Sequence, residues 1–130
     1  MADNGTSDLG NGYEGISVYD GADQILVGGT TANDANTIAF NTLAGVGLGG
    51  NTNSNAAIIG NSIHSNDSLG VDLARDGVSP NDPLDTDTGQ NGLLNFPTLN
   101  EPVESGGDTN VPYEYDLPAG EYRIEFFSNT

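Results

Sequence analysis

Two stretches of the sequence decide the fold: residues 36–48 read NTIAFNTLAGVGL, and residues 61–73 read NSIHSNDSLGVDL. The second stretch repeats the first after 25 residues, with an Asn four places before a Gly and apolar residues one and three places after that Gly. A partial copy with the same spacing occurs earlier, at Asn11, Gly15, Ile16 and Val18. Repeats of this length are typical of solenoid proteins, in which each repeat packs on its neighbours.

Short apolar stretches separated by Asn and Gly predict parallel β-strands, each paired with the equivalent strand one repeat away. The expected columns are Ile16, Val46 and Val71; Val18, Leu48 and Leu73; and Ile38 with Ile63. Apolar runs at 24–29 and 56–60 predict a second strand in each repeat. Gly, Asn or Pro interrupts every window long enough for an α-helix, so the sequence predicts an all-β chain.

The corners between strands are expected to contain backbone at positive φ, which Gly tolerates freely and Asn tolerates better than most residues. This argument places Asn41 and Asn66 at the corners, and Gly15, Gly45 and Gly70 are expected to be turn glycines. Equivalent Asn side chains stacked at the spacing of β-strands can hydrogen-bond along the column. We therefore predict a structural ladder of Asn11, Asn41 and Asn66.

Composition excludes several classes of function. The 130 residues include 19 acidic and 2 basic side chains, for a formal charge of −17. Such a chain cannot neutralise the phosphates of a nucleic acid, and anionic lipid surfaces should repel it, so neither nucleic-acid binding nor membrane insertion is expected. The absence of cysteine excludes disulfides and thiolate ligands, and a single histidine cannot build a multi-histidine metal centre.

An Asp-rich segment after the repeats is the candidate metal site. Asp82, Asp85 and Asp87 lie close together in the sequence, and Gly89 allows the chain to fold around a cation. These carboxylates repel one another and need a counter-charge, for which a calcium ion is a better candidate than Arg75. The segment lacks the closing Glu of an EF-hand, and its Asp residues could instead form solvated Asx-turns.

The C-terminal region predicts an antiparallel hairpin. Residues 112–117 and 122–126 both alternate, and Pro118-Ala119-Gly120 lies between them. Alternation predicts that Tyr113, Tyr115 and Tyr122 lie on a buried face. A hairpin alone is marginal in water, so this face should cover the solenoid, pack on another chain or belong to a larger domain.

The repeat at 61–73 and the run from Asn81 through Asn95-Phe96-Pro97 resemble right-handed parallel β-helix proteins of the pectate-lyase-like group, which includes large bacterial secreted and surface proteins. In such surface proteins a β-sandwich follows the last coil, and its early strands resemble residues 122–127. The expected architecture is a short right-handed parallel β-helix of about three coils at 1–80, an Asp-rich loop and apolar plug at 81–100, and a hairpin at 101–130 that acts as a cap or begins a truncated sandwich.

This fold class hosts both enzymes and inert stalks, so it leaves the function open. One interpretation is a non-catalytic, calcium-stabilised structural or adhesive module outside the cell, which binds a polysaccharide or a cell-surface protein. The alternative is a calcium-dependent polysaccharide lyase, with Arg75 as the only basic residue beside the Asp cluster, or a glycoside hydrolase using a pair such as Asp72 and Asp76. Asp72 and His64 are expected at the surface, and open solenoid ends or an exchanged hairpin could pair two copies of the chain.

Overall fold

The computed structural model describes residues 9–50 and 55–125, which form a nearly all-β structure. The strands are β1 Ile16–Val18, β2 Ile25–Gly28, β3 Thr37–Ala39, β4 Val46–Leu48, β5 Ala56–Ile59, β6 Ser62–His64, β7 Val71–Leu73, β8 Thr98–Leu99, β9 Val103–Ser105, β10 Asp108–Asn110 and β11 Tyr113–Glu114. A short 3-10 turn occupies Gln90–Leu93. Within the described ranges, no helix combines the length and the apolar character that crossing a membrane requires.

The first seven strands form three parallel sheets, in the orders β1-β4-β7, β2-β5 and β3-β6. We call β1–β3 the first layer, β4–β6 the second and β7 the third. Val46 pairs with Ile16 on one side and with Val71 on the other, and Ile38 pairs with Ile63. The predicted columns are therefore confirmed, as is the second strand of each repeat.

The core lies where the three parallel sheets meet. Its buried members are Val18, Val27, Ile38, Val46 and Leu48, and the side chains of Val46 and Leu48 have no solvent exposure. Each sheet supplies at least one of these residues. Alternate positions of a strand point to the same face of its sheet, and in each sheet one face points to the core. The core is thus built by stacking equivalent apolar residues from successive layers.

The glycines before β1 and β4 are required by close contact between layers, and the prediction of positive φ there was wrong. A Cβ on Gly45 would lie 2.5 Å from Cγ2 of Ile63 and 2.7 Å from the carbonyl oxygen of Gly70. A Cβ on Gly15 would meet Ile38 and Gly45 in the same way. Positive φ was also expected at Asn41 and Asn66, but it belongs to Phe40 and Ser65, the residues that precede them.

The corner asparagines form the predicted column, although only one rung joins two side chains. The side-chain amide of Asn41 donates to Oδ1 of Asn66 at 2.8 Å, whereas Oδ1 of Asn41 accepts from the backbone amide of Asn11 at 2.9 Å. A second pair, not predicted, occupies another corner: Nδ2 of Asn36 donates to Oδ1 of Asn61 at 3.0 Å. These side chains satisfy backbone groups at turns where no strand is available.

Substitution of Asn41 by Ala should destabilise the chain by about 2 kcal/mol, because it leaves the backbone amide of Asn11 and the side-chain oxygen of Asn66 without this partner. Urea unfolding followed by circular dichroism measures the effect. Asn11→Ala is the matched control, because the side-chain amide of Asn11 makes only two long contacts of 3.4 Å. Equal losses for the two variants would show that the column does not stabilise the corner.

Side chains cover backbone groups at the first residue of β5 and at the residue that follows its end. The amide of Asn91 accepts from the backbone N–H of Ala56 at 2.7 Å and donates to its carbonyl at 2.8 Å, as a neighbouring strand would. Further along, Gly60 N–H donates to Oε2 of Glu125 at 2.9 Å. The backbone of the second layer is therefore partly capped by residues from the C-terminal half of the chain.

The C-terminal region contains antiparallel strands, as predicted, but the predicted pairing of 112–117 with 122–126 was wrong. β9 pairs with β10 across Gly106 and Gly107, and β11 pairs with β8. Gly106 and Gly107 both have positive φ, which matches the tight hairpin turn that a Gly-Gly pair favours. Residues 121–125 form no strand, and Phe126 and Phe127 lie outside the described residues.

Candidate metal site and polar clusters

The Asp-rich segment is organised by a buried side chain that the sequence analysis did not single out. Asn95, only 4% exposed, accepts from the backbone N–H of Asp82 at 3.0 Å and donates to the carbonyls of Asp82 and Asp116 at 2.8 and 2.7 Å. Its own backbone N–H donates to Oδ1 of Asp85 at 2.7 Å. Asn95 therefore connects Asp82 at the start of the Asp-rich loop with Asp85 in its middle and with Asp116 in the C-terminal region.

The structure brings together the three carboxylates that were predicted as metal ligands. One oxygen from each of Asp82, Asp85 and Asp87 lies within 4.8 Å of the others. Thr86 donates to Asp82 from both its backbone and its hydroxyl, and the hydroxyl bond is 2.6 Å long. This side-chain bond from Thr86 lowers the pKa of Asp82 and favours its ionised form.

Asp87 has the opposite environment. Its Oδ1 is buried and has no hydrogen-bond partner. Burial raises the pKa of Asp87, and the negative charges of Asp82 and Asp85 raise it further. The folded chain thus places a carboxylate where its ionised form is disfavoured, unless a cation is added.

The spacing of these oxygens suits a calcium ion. Oxygen ligands bind Ca²⁺ at about 2.3–2.6 Å, so two ligands of one ion are separated by at most about 5 Å. The separation within the cluster satisfies this limit. Three monodentate carboxylates would occupy at most half of the roughly 6–8 positions around Ca²⁺ and leave the rest for water or for backbone carbonyls.

Arg75 does not act as the counter-charge of the Asp cluster. It contacts Glu14 through Nε and Nη2, at 2.7 and 2.6 Å, and its guanidinium lies 4.9 Å from the centre of the Tyr19 ring. Glu14 is 6% exposed and also accepts from Ser17 at 2.9 Å. Burial would raise the pKa of Glu14, but hydrogen bonds from its own backbone, Arg75 and Ser17 outweigh burial and lower it.

The carboxylates considered for glycosidase chemistry have different surroundings. Asp72 is 7% exposed, and its Oδ1 accepts from the backbone N–H of Gly77 at 3.3 Å, so the prediction of an exposed position was wrong. The turn after β7 folds back far enough for Gly77 to bond to this side chain. Asp76 is exposed. His64 pairs with Ala39 as expected and is half-buried, with its ring edge-on to Phe40.

The C-terminal tyrosines are exposed, contrary to the prediction of a buried hairpin face. Tyr113, Tyr115 and Tyr122 retain 41%, 56% and 40% of their surface. Their predicted burial depended on a hairpin between 112–117 and 122–126, which does not form. Alternation along a sequence indicates which side chains share a face, but it does not identify the segment that covers that face.

Comparisons with protein-family models, with curated proteins and with solved structures find no match for this chain. Arguments about its function therefore depend on its own residues.

Proposed function

We propose that the chain is a non-catalytic structural or adhesive module of an extracellular protein, built as a short right-handed parallel β-helix and stabilised by calcium. The observation that carries this proposal is the register in which Ile16, Val46 and Val71 lie side by side in one parallel sheet. Stacked layers make a stiff rod whose stability depends on contacts between neighbours. Such a rod can hold a binding surface away from a cell.

The surroundings of the basic residues favour a structural function over catalysis. A lyase of the group that the sequence resembles would use a basic residue beside its calcium ligands, and Arg75 is the candidate by sequence. Both Arg75 and Arg123 are in ion pairs with glutamates, and the Arg75 pair is partly shielded by Tyr19. A charge of −17 also opposes the binding of an acidic polysaccharide.

The calcium proposal is supported by the combination of close carboxylates and one buried oxygen without a partner. A divalent ion would neutralise the repulsion that raises the pKa of Asp87. Calcium is plentiful outside cells, and an acidic chain rich in Asp supplies the oxygen ligands that it prefers. The ion would tie the loop to the plug at Asn95, because Asp82 and Asp85 both bond to that residue.

Thermal unfolding in calcium and in chelator tests the proposal. Calcium at ten times its dissociation constant should add about 1.4 kcal/mol and raise the midpoint by about 3–8 °C. Asp87→Asn should abolish most of this shift. Without calcium, the same variant should melt at or above the parent's midpoint, because a raised pKa means that the ionised carboxylate opposes folding at neutral pH.

Asp76→Asn is the control, since it removes the same charge from an exposed site outside the cluster and should keep the calcium shift. An unchanged midpoint for the parent chain would contradict calcium stabilisation. Incubation with acidic and neutral polysaccharides tests the enzyme alternative separately, and the appearance of unsaturated sugars or new reducing ends would contradict a non-catalytic module.

A further inference from the structure

A cleft of about 390 Å³ opens in the C-terminal region, between the plug and the last described residues. Its lining includes Tyr113, Tyr115, Leu117, Glu121, Tyr122 and Arg123. The volume falls in the range of about 300–1,000 Å³ that small-molecule sites occupy. An aromatic lining with a few polar groups is also the usual composition of such sites.

Two of the tyrosines present a common surface. Tyr113 and Tyr115 are two residues apart on an extended segment, so their side chains lie on the same side. Their ring centres are 6.3 Å apart, with an angle of 24° between the ring planes. More than half of Tyr115 is exposed. The two rings therefore form a stacked aromatic pair that solvent or a ligand can reach.

Tyr122 completes the aromatic lining and is held in place by its hydroxyl. That hydroxyl donates to the carbonyl of Pro118 at 2.9 Å. The same ring contacts Gly120, where an added Cβ would lie 3.2 Å from it. A ring fixed by the turn at 118–120 loses little side-chain entropy when a ligand binds, which favours affinity.

The polar groups of the cleft can recognise hydroxyl groups. Arg123 uses Nε and Nη2 on a single oxygen of Glu125, both at 2.8 Å, and its side chain is 55% exposed. A guanidinium has five N–H donors, so further donors remain for a ligand. Glu121 is exposed and supplies acceptors. A donor and an acceptor beside aromatic faces match a molecule that has both C–H and O–H surfaces.

We infer that this cleft binds a neutral saccharide, whose C–H face would lie on Tyr113 and Tyr115 while its hydroxyls would bond to Arg123 and Glu121. The inference rests on the proposed adhesive function and specifies its ligand class and its site. Acidic sugars are disfavoured because the chain carries a charge of −17. A second copy of the chain carries the same charge, so the same repulsion opposes self-association through this face.

Calorimetric titration of the full chain with cellohexaose, mannohexaose and maltohexaose tests the inference, with hexagalacturonate as the acidic counterpart. We expect at least one neutral hexasaccharide to bind and hexagalacturonate to give no signal. Tyr115→Ala should weaken that binding about tenfold, which corresponds to about 1.4 kcal/mol. Tyr13→Ala is the matched control: Tyr13 is 70% exposed and outside the cleft, and its loss should leave the affinity unchanged.

Three results would overturn the inference: no heat from any neutral hexasaccharide, equal loss in both tyrosine variants, or stronger binding of hexagalacturonate. Sedimentation of the free chain adds a fourth, namely a dimer that Tyr115→Ala dissociates, since a second copy would then occupy the cleft. These readouts are separate from the calcium shift of the melting midpoint. Failure of saccharide binding is therefore distinguishable from failure of the calcium-stabilised module.

Discussion

Gly45→Ala should destabilise the chain by about 3 kcal/mol or more, at the upper end of what overpacking costs in a close-packed interior. The added Cβ would lie 2.5 Å from Ile63 and 2.7 Å from the carbonyl oxygen of Gly70. A backbone atom cannot move aside without shifting the third layer, so relaxation would break hydrogen bonds between β4 and β7. Urea unfolding followed by circular dichroism measures the loss.

Gly70→Ala is a matched control, because Gly70 occupies the same place in the repeat but is followed by no further layer of this kind in the described chain. A Cβ there would lie 3.6 Å from Ile63, which is ordinary contact. We expect its effect to be within about 0.5 kcal/mol, as for most surface substitutions. Similar effects at the two glycines would show that contact between layers does not explain their use.

Arg75→Met should cost about 3 kcal/mol, because it leaves the Glu14 carboxylate buried without its cation. Removing one partner of a buried ion pair costs roughly 3–5 kcal/mol of stability. The loss expected here is at the lower end of that range, because the Arg75 side chain is 23% exposed. Met keeps much of the apolar stem in place, so the change mainly tests charge. Arg123→Met, which breaks a pair on a side chain 55% exposed, should change stability little.

The pH dependence of stability distinguishes lost charge from lost packing. In the parent chain the pKa of Glu14 is lowered, so its contribution is present above the unfolded pKa of about 4.3 and is lost as pH falls through the folded pKa. Without Arg75, burial should raise that pKa, and the variant should gain stability on acidification from pH 7 to about 5.

Glu14→Gln combined with Arg75→Met should lose this gain, since no carboxylate is left at position 14 to titrate. The double variant should also be more stable at pH 7 than Arg75→Met alone, because it no longer buries an unpaired charge. Identical pH profiles for the two variants would contradict the assignment of the effect to Glu14.

The repeat allowed the parallel pairing to be predicted residue by residue. Because side chains alternate along a strand, matching Val46 and Leu48 with Val71 and Leu73 admits one register, which keeps both pairs on the same face of the sheet. The asparagine column followed from the same alignment. Asn36 and Asn61 begin the two repeated stretches, so the same alignment also contains their pairing.

The role of the glycines before β1 and β4 could not be predicted from residue type alone. Gly and Asn both favour positive φ, so composition pointed to backbone conformation. The constraint at Gly45 is instead the distance between layers, and the positive φ is adopted by Phe40 and Ser65, residues that give no sequence signal for it. Propensity is a weak guide where packing between distant segments decides the conformation.

The partners of the charged groups could not be predicted from the sequence either. Glu14 and Arg75 are 61 residues apart, in the first and third layers, and their side chains meet across the second layer where Gly47 and Gly49 have no side chains. The sequence placed Arg75 near the Asp cluster, since only the separation along the chain was known. In the C-terminal region, the hairpin forms at Gly106-Gly107, a pair that favours a tight turn, and not at the alternating residues 112–126.

The capping of β5 has a consequence for the solubility of the whole molecule. A strand that ends a stack can act as a template on which other chains assemble into fibrils. Because Asn91 occupies both backbone groups of Ala56 and Glu125 occupies the amide of Gly60, an incoming strand would have to displace side chains already bonded there. The C-terminal half of the chain thereby raises the barrier to polymerisation at the end of a short stack.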